Sequence, residues 1–382
     1  MKTGWEIKPL GELCDILDNR RKPVTKSDRI AGPYPYYGAT GIQDFVSDFI
    51  FDEPLVLVGE DGAKWESGEN TAFPIEGKCW VNNHAHVLRP IRERLLDNWL
   101  IHFLNHSDLT EYVSGLTVPK LNQGSLREIR IPLAPIKEQH RIVTLLDEAF
   151  TDIATAKANA EKSLQNAHEL FESHLDAIVT NAQTNGELVP LSELATDITD
   201  GDHMPPPKVE QGLPFITIGN IDKQTRVIDF SDTFQVPREY FDGLKANKKP
   251  MRGDVLYTVT GSFGIPVLVE EDKEFCFQRH IGLIRPKADV DSTWLHYLLQ
   301  SPQVFNQAAD GATGTAQKTV SLKVLRNLQV PKTSTKEQLA HVETLKSVET
   351  ECRRLESIYR QKLTALEDLK KSLLHHAFTG QL

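Results

Sequence analysis

Several short stretches of the chain carry residue types that could do chemistry. Gly311-Ala312-Thr313-Gly314-Thr315-Ala316-Gln317-Lys318-Thr319 has the glycines, lysine and threonine of a phosphate-cradling loop, but Gln317 stands where that motif needs a glycine before its lysine. Asp254 followed by Glu271-Asp272-Lys273 matches the acid and Glu-x-Lys spacing of a metal-dependent nuclease, although a charged hairpin turn over Glu270-Glu271-Asp272-Lys273-Glu274 accounts for the second part as well. His84-Ala85-His86 and His375-His376 are metal-ligand types without a glutamate at metalloprotease spacing. Pro205-Pro206-Pro207 lacks the polar and aromatic neighbours of an amino-methyltransferase motif, and there is no Gly-x-Ser-x-Gly elbow. Cys14, Cys79, Cys276 and Cys352 form no Cys-x-x-Cys pair, which argues against a disulfide framework and a zinc knuckle. These residues describe a reader more readily than a catalyst, with no catalytic or metal site expected.

A chain of 382 residues exceeds one ordinary core, so two or three domains are expected. With 40 % hydrophobic and 25 % charged residues it is globular, and no run approaches the ~20 apolar residues of a membrane span. Met1-Lys2-Thr3-Gly4-Trp5-Glu6 has no apolar signal core, so a cytoplasmic location is expected and no membrane contact. The net charge is −10, and residues 1–135 hold 15 Lys and Arg against 19 Asp and Glu. A polyanion partner would have to be held by local patches on an acidic body or with help from other subunits.

The chain is written twice. Leu126-Arg127-Glu128-Ile129-Arg130-Ile131-Pro132 recurs as Leu325-Arg326-Asn327-Leu328-Gln329-Val330-Pro331, and Lys137-Glu138-Gln139 as Lys336-Glu337-Gln338, both at an offset of 199. Upstream, Pro9-Leu10-Gly11-Glu12-Leu13 matches Pro190-Leu191-Ser192-Glu193-Leu194, and Leu88-Arg89-Pro90 matches Ile284-Arg285-Pro286, at offsets changed by loop insertions. The order is domain, helix, domain, helix, with bounds 1–135, 136–185, 186–332 and 333–382. Each head reads as a small α+β domain, with strand content at Val81–Arg89 and Asp254–Val259 and helix candidates at Leu95–Asn105 and Thr293–Leu299.

Residues 137–180 and 336–377 contain no Pro or Gly and read as two long helices. In the second, Leu345, Cys352, Tyr359, Leu366 and Leu373 recur every seven residues beside Val348, Leu355 and Leu369, a coiled-coil seam broken by Lys362. The first has smaller rows, Leu146, Ile153, Ala160, Ala167, His174 and Ala149, Ala156, Ser163, Leu170. Large side chains opposite alanines predict that the two helices pair with each other; if they run antiparallel, a pseudo-twofold axis relates the halves. Packing of each helix onto its own domain is the alternative.

The ordered set Tyr36-Tyr37-Gly38-Ala39-Thr40-Gly41-Ile42, Gly59-Glu60-Asp61-Gly62, Trp80-Val81-Asn82-Asn83-His84-Ala85-His86-Val87-Leu88, Gly115-Leu116-Thr117-Val118-Pro119-Lys120-Leu121, then Ile131-Pro132 leading into Lys137-Glu138-Gln139, resembles the specificity subunit of type I restriction–modification enzymes. The ending Leu373-Leu374-His375-His376-Ala377-Phe378-Thr379-Gly380-Gln381-Leu382 is similar to that family's as well. The resemblance implies two target recognition domains that each read half of a split asymmetric sequence in double-stranded DNA, separated by two long antiparallel helices. It implies docking of two modification subunits, which methylate adenine with S-adenosylmethionine, and of restriction subunits, which use ATP and Mg; this chain itself would hold no cofactor.

Base reading needs donors and acceptors on loops that can enter a groove. On that ground the candidates are Arg20, Arg21, Lys22, Thr40, Lys64, Asn83, Lys120 and Asn122 in the first domain. In the second they are His203, Lys208, Ser262, Gln278, Arg279, Thr315, Gln317 and Lys318. Arg20-Arg21-Lys22 also reads as a solvated loop, and Asn83, His84 and His280 as satisfied structural groups. At the helix starts, the resemblance suggests subunit contact through Lys137, Glu138, Gln139, Arg141, Lys336, Glu337 and Gln338, against plain capping and solvation. A two-headed protein-binding adaptor is the competing function; a self-sufficient nuclease or methyltransferase is set aside by the missing motifs.

Overall fold

The computed structural model describes residues 4–115, 117–203, 206–315 and 317–382. Leu116 of the glycine-led motif, Met204 and Pro205 of the proline run, and Ala316 of the apparent phosphate loop lie outside them. The chain forms two compact units, Met1–Lys162 with Arg360–Leu382, and Ser163–Tyr359. Each unit therefore holds one head and a piece of both long helices, Ile136–Asn185 and Thr335–Thr379.

In unit 1 a four-stranded sheet runs in the order Cys14–Ile16, Ala85–Pro90, Leu55–Gly59, Ala72–Ile75. The strand Leu55-Val56-Leu57-Val58-Gly59 is buried throughout because both of its faces are covered. Val56 and Val58 join the core of Leu88, Trp99 and Leu100, while Leu55 and Leu57 join Phe51, Ile75, Val81 and Val87. A second sheet orders Gly41–Val46, Ala31–Gly38, Lys78–Val81 and Phe51–Asp52. The expected strand Val81–Arg89 is thus two strands of different sheets, parted by a turn at Asn82-Asn83-His84.

Unit 2 repeats this plan. Its four-stranded sheet orders Ala195–Asp200, Ile281–Pro286, Val255–Thr258 and Pro266–Leu268, and a three-stranded sheet orders Phe234–Val236, Leu213–Ile216 and Cys276–Phe277. The central strand again divides its side chains, Val255 and Tyr257 to one core and Leu256 to the other. The segment expected as a charged hairpin turn, Glu270–Glu274, instead links a strand of one sheet to a strand of the other. Asp254, the acid of the nuclease-like spacing, is buried and held by Arg285 at 2.9 and 2.8 Å.

The apparent phosphate loop is also explained. Gly311 ends the helix Pro302–Gly311, a helix the sequence reading did not pick out, and the loop closes through paired hydrogen bonds between Thr313 and Thr319.

Within each unit the long helices run antiparallel. In unit 1 Lys370 lies over the Phe150 ring and Lys157 pairs with Glu367; in unit 2 His168 pairs with Glu356 at 2.9 Å. Ala160 and Ala167 are buried, as small residues at a close helix approach must be. Leu170, His174 and Leu369 are exposed, contrary to a strict heptad: in the first helix burial passes to Phe171, Leu175 and Val179. An α-helix drifts relative to a seven-residue repeat, so a fixed row leaves the contact face.

The helices pair and each also starts on its own domain, Ile142 and Leu146 in the unit 1 core and Val342 and Leu345 in the unit 2 core, while the far end of each packs on the other head. Leu374, Ala377 and Phe378 enter the unit 1 core, where Phe378 meets Trp99 and Phe103 edge-on at centroid distances of 5.0 and 5.3 Å. Phe378→Ala is expected to destabilise unit 1 by about 3–5 kcal/mol through the cavity it leaves, measured by chemical denaturation.

The recurring Lys-Glu-Gln has a structural cause. Gln139 is fully buried: its amide donates to the Arg94 carbonyl (2.7 Å) and the Ala134 carbonyl (2.8 Å), and its Oε1 accepts from the Leu96 backbone N–H (3.0 Å). Gln338 does the same with the Asp289 and Thr333 carbonyls and the Asp291 N–H. These two glutamines lock each head to its helix start, which corrects their expected role in partner contact. Glu337 caps Ser334, whose N–H and hydroxyl hold its carboxyl below the usual range, and Glu138 pairs with Arg141. Lys137 and Lys336 are exposed.

Candidate nucleic-acid interface

Three loops meet at one end of the four-stranded sheet in each unit. In unit 1 the Glu60 N–H donates to the His84 carbonyl and the Leu121 N–H to the Glu60 carbonyl; in unit 2 Val259 N–H donates to His280 and Val320 N–H to Val259. Gly62 and Gly261, 199 residues apart, share a left-handed backbone with φ of 67° and 71°. Gly115 and Gly314 do likewise, and a Cβ on either would strike the carbonyl of the third residue on. The backbone frame is the same twice.

The side chains inside that frame are not. Unit 1 fills it with five ionisable groups. Asp18 accepts from His86 Nδ1 (2.6 Å), Gln123 (3.0 Å) and the Val87 N–H (2.9 Å), and lies 3.4 Å from Arg21. Glu60 pairs with Arg21 and with Lys120 (2.8 Å), and His86 Nε2 meets the Leu121 carbonyl at 2.7 Å. Burial by itself would raise both carboxyls, but these partners outweigh it. The His86 hydrogen bond holds Asp18 below the usual carboxylate range, and the Lys120 and Arg21 hydrogen bonds do so for Glu60. Asp18, Glu60 and His86 sit close enough to share a cation. Arg21 and Lys120 already supply positive charge there, so the trio is a salt-bridge network of the chain's own.

In unit 2 the places of Glu60, His86 and Lys120 are taken by Val259, Gly282 and Thr319, and a cleft of about 440 Å³ lies there. Asp200, His203, Thr260, Arg279, His280 and Gln317 line it. His203 pairs with Asp200 at 2.9 Å. Arg279 is exposed and touches His280 at 3.4 Å, and among the described residues no carboxylate pairs with it. A forked donor without an acid, beside a glutamine and two histidines, suits the edge of a base.

The structure sorts the sixteen candidates unevenly. Arg21, 13 % exposed, is spent on the internal network, which corrects its expected availability to a ligand; Lys120 pairs with Glu60 but keeps 38 % of its side chain exposed. Arg20 binds Glu53 (3.2 Å) and the Ile50 carbonyl and lies over Phe51, Lys64 pairs with Glu69 at 3.4 Å, and Asn122 donates to Ser114 at 2.7 Å. Lys22, Thr40 and Asn83 are exposed, Thr40 at the turn between two strands and Asn83 in the turn between sheets.

In unit 2 His203, Arg279 and Gln317 gather in the cleft, with Thr315 and Lys318 exposed on the same loop as Gln317. Lys208 lies over the Phe234 ring of the other sheet, Ser262 is half-buried, and Gln278 is half-buried with its N–H on the Ile216 carbonyl. Asp200, Thr260 and Thr319 were not anticipated. Aligning the two halves at the offset of 199, which sets Thr260 opposite Asp61 and Thr319 opposite Lys120, is the signal that reveals the two threonines; nothing in the alignment reveals Asp200.

Comparison with known proteins agrees with the repeat. A model of the type I restriction modification DNA specificity domain matches residues 2–164 and again 183–365. A putative type I restriction enzyme specificity subunit of Haemophilus influenzae is 28 % identical over 71 % of this chain and 69 % of its own length. The MjaVIII specificity subunit of Methanocaldococcus jannaschii is 23 % identical over 99 % and 93 %. Among solved structures, the HsdS subunit from Thermoanaerobacter tengcongensis covers the whole chain and 98 % of its own with a TM-score of 0.62 at 18 % identity, which shows a shared fold. A chain from a study of complex assembly in a type I R-M system reaches 0.76. With two copies of that domain in tandem, each built on the same sheet and helix start, the chain belongs to the DNA specificity subunits of type I restriction–modification enzymes.

Proposed function

We propose that this chain reads a split, asymmetric target in double-stranded DNA, one part with each unit, and carries two methyltransferase subunits and the restriction subunits on its helices. The observation that carries this reading is one loop frame occurring twice with different side chains: a charge-paired version in unit 1 and a cleft with Arg279 in unit 2. Two frames with two chemistries suit two unlike half-sites. The chain is a non-catalytic address; Asp254, its one nuclease-like acid, is tied to Arg285. S-adenosylmethionine, ATP and Mg belong to the partner subunits in this reading, which acts in the cytoplasm. No helix of the described residues is long and apolar enough to cross a membrane.

The test is DNA binding by the chain together with its modification subunit, titrated with salt. Binding should weaken steeply, with log K falling linearly in log salt by about 0.9 per phosphate contact. Binding indifferent to both salt and sequence would favour the protein adaptor.

A further inference from the structure

A second cavity, of about 330 Å³, lies in unit 2 away from the three loops. Its walls come from the turn Thr225–Ile228, the linking segment at Glu270–Phe275, the helix Ser292–Gln300 and the second long helix. Three features of its walls bear on what it could hold. Arg226 is the one non-glycine with a left-handed backbone among the described residues, at φ 54°, a conformation that costs a residue with a Cβ energy and tends to persist where a site depends on it.

Its guanidinium is largely withdrawn from water, yet among the described residues no hydrogen-bond or ion-pair partner reaches it. Glu172 and Glu349 act on it only from a distance, and Glu349 is already engaged by the Tyr297 hydroxyl (2.7 Å) and by Arg353 (2.7 Å). His296, also on the wall, has a buried Nδ1 without a partner. Burial holds that ring neutral, its pKa lowered to about 4, so it can present one N–H beside the cation. Lys346 adds an exposed ammonium with no acid paired to it among the described residues.

We infer that this cavity binds a small oxyanion, a carboxylate or phosphate group of a free ligand, forked by Arg226 and met by His296 and Lys346. A planar fork of donors that is desolvated and unpaired is completed by such a group. Ile228, Phe230 and Phe275 on the same wall fit an apolar body attached to the anion. Glu270 and Glu271 are exposed at the cavity and repel an extended polyanion, which favours a small ligand over the DNA backbone.

The probe is inorganic phosphate, titrated calorimetrically into the full chain against chloride at equal ionic strength. Saturable binding should appear and weaken about tenfold or more in Arg226→Gln, the loss expected for one charge-assisted contact. Since the Arg226 side chain holds no other group among the described residues, this variant should fold; Lys346→Gln serves as a second variant and should weaken binding in the same direction. Phosphate binding absent from the intact chain, or unchanged in Arg226→Gln, overturns the inference. A cognate duplex that displaces the phosphate, with Arg226→Gln weakening DNA binding equally on all sequences, overturns it too, because the occupant is then the DNA backbone.

Discussion

Arg21→Ala is expected to destabilise unit 1 by about 3–5 kcal/mol, the cost of leaving buried charge uncompensated. The Arg21, Asp18 and Glu60 side chains are 13, 5 and 9 % exposed, so solvent does not screen them. Removing the guanidinium takes one cation from two buried carboxylates, leaving Asp18 to His86, Gln123 and the Val87 N–H and Glu60 chiefly to Lys120, and frees the Ala85 carbonyl that Arg21 caps at 2.8 Å.

The pH dependence has a definite sign. Both carboxyls titrate below their unfolded values, so their contribution to stability is complete above the ordinary carboxylate range. It is lost as pH falls through the lowered values. Denaturant melts across pH should show the wild-type advantage over Arg21→Ala at neutral pH and its shrinkage below about pH 4. An Arg21→Ala protein as stable as wild type would show that the network is solvated and only ornamental to the fold.

Arg279→Ala should cost about 10- to 100-fold in affinity for the cognate site, and Gln317→Ala a similar factor, as each deletes a base-edge contact worth about 1–3 kcal/mol. Discrimination should relax at positions within one half-site and leave the other half unchanged. A residue that grips only phosphate gives a different pattern, a uniform loss across sequences with a shallower salt slope. Arg279 is exposed and among the described residues pairs with no acid, so its removal should leave the melting temperature unaltered. Anisotropy with a panel of single-base variants of the target separates the two outcomes.

How much of this was written in the sequence varies with the distance between partners. The duplication was legible because Leu126–Pro132 and Leu325–Pro331 serve the same strand and helix junction, and a packing position tolerates few residue types. The long helices were legible from local composition alone. Gln139 was misread because a Lys-Glu-Gln cluster at a helix start has the composition of a wet surface. Its true partners, Arg94 and Leu96, lie more than forty residues back in sequence.

Arg21 fails for the same reason, as Glu60 and Ala85 are brought to it only by the sheet. The turn at Asn82–His84 hid inside a run that alternates like a single strand. His203, Arg279 and Gln317, chosen as separate donors on loops, come together on the walls of one cleft, a juxtaposition their spacing in sequence does not show.

In the proposed function the two units address two halves of one DNA target. The most direct test is adenine-methylation mapping of DNA from cells that express this chain with its modification subunit, beside cells with the modification subunit alone. The prediction is a split motif that appears only with this chain, and in which replacing residues 1–135 by the corresponding domain of a relative changes one half and leaves the other intact. A motif that changes in both halves, or no new motif from a soluble and assembled complex, would contradict it.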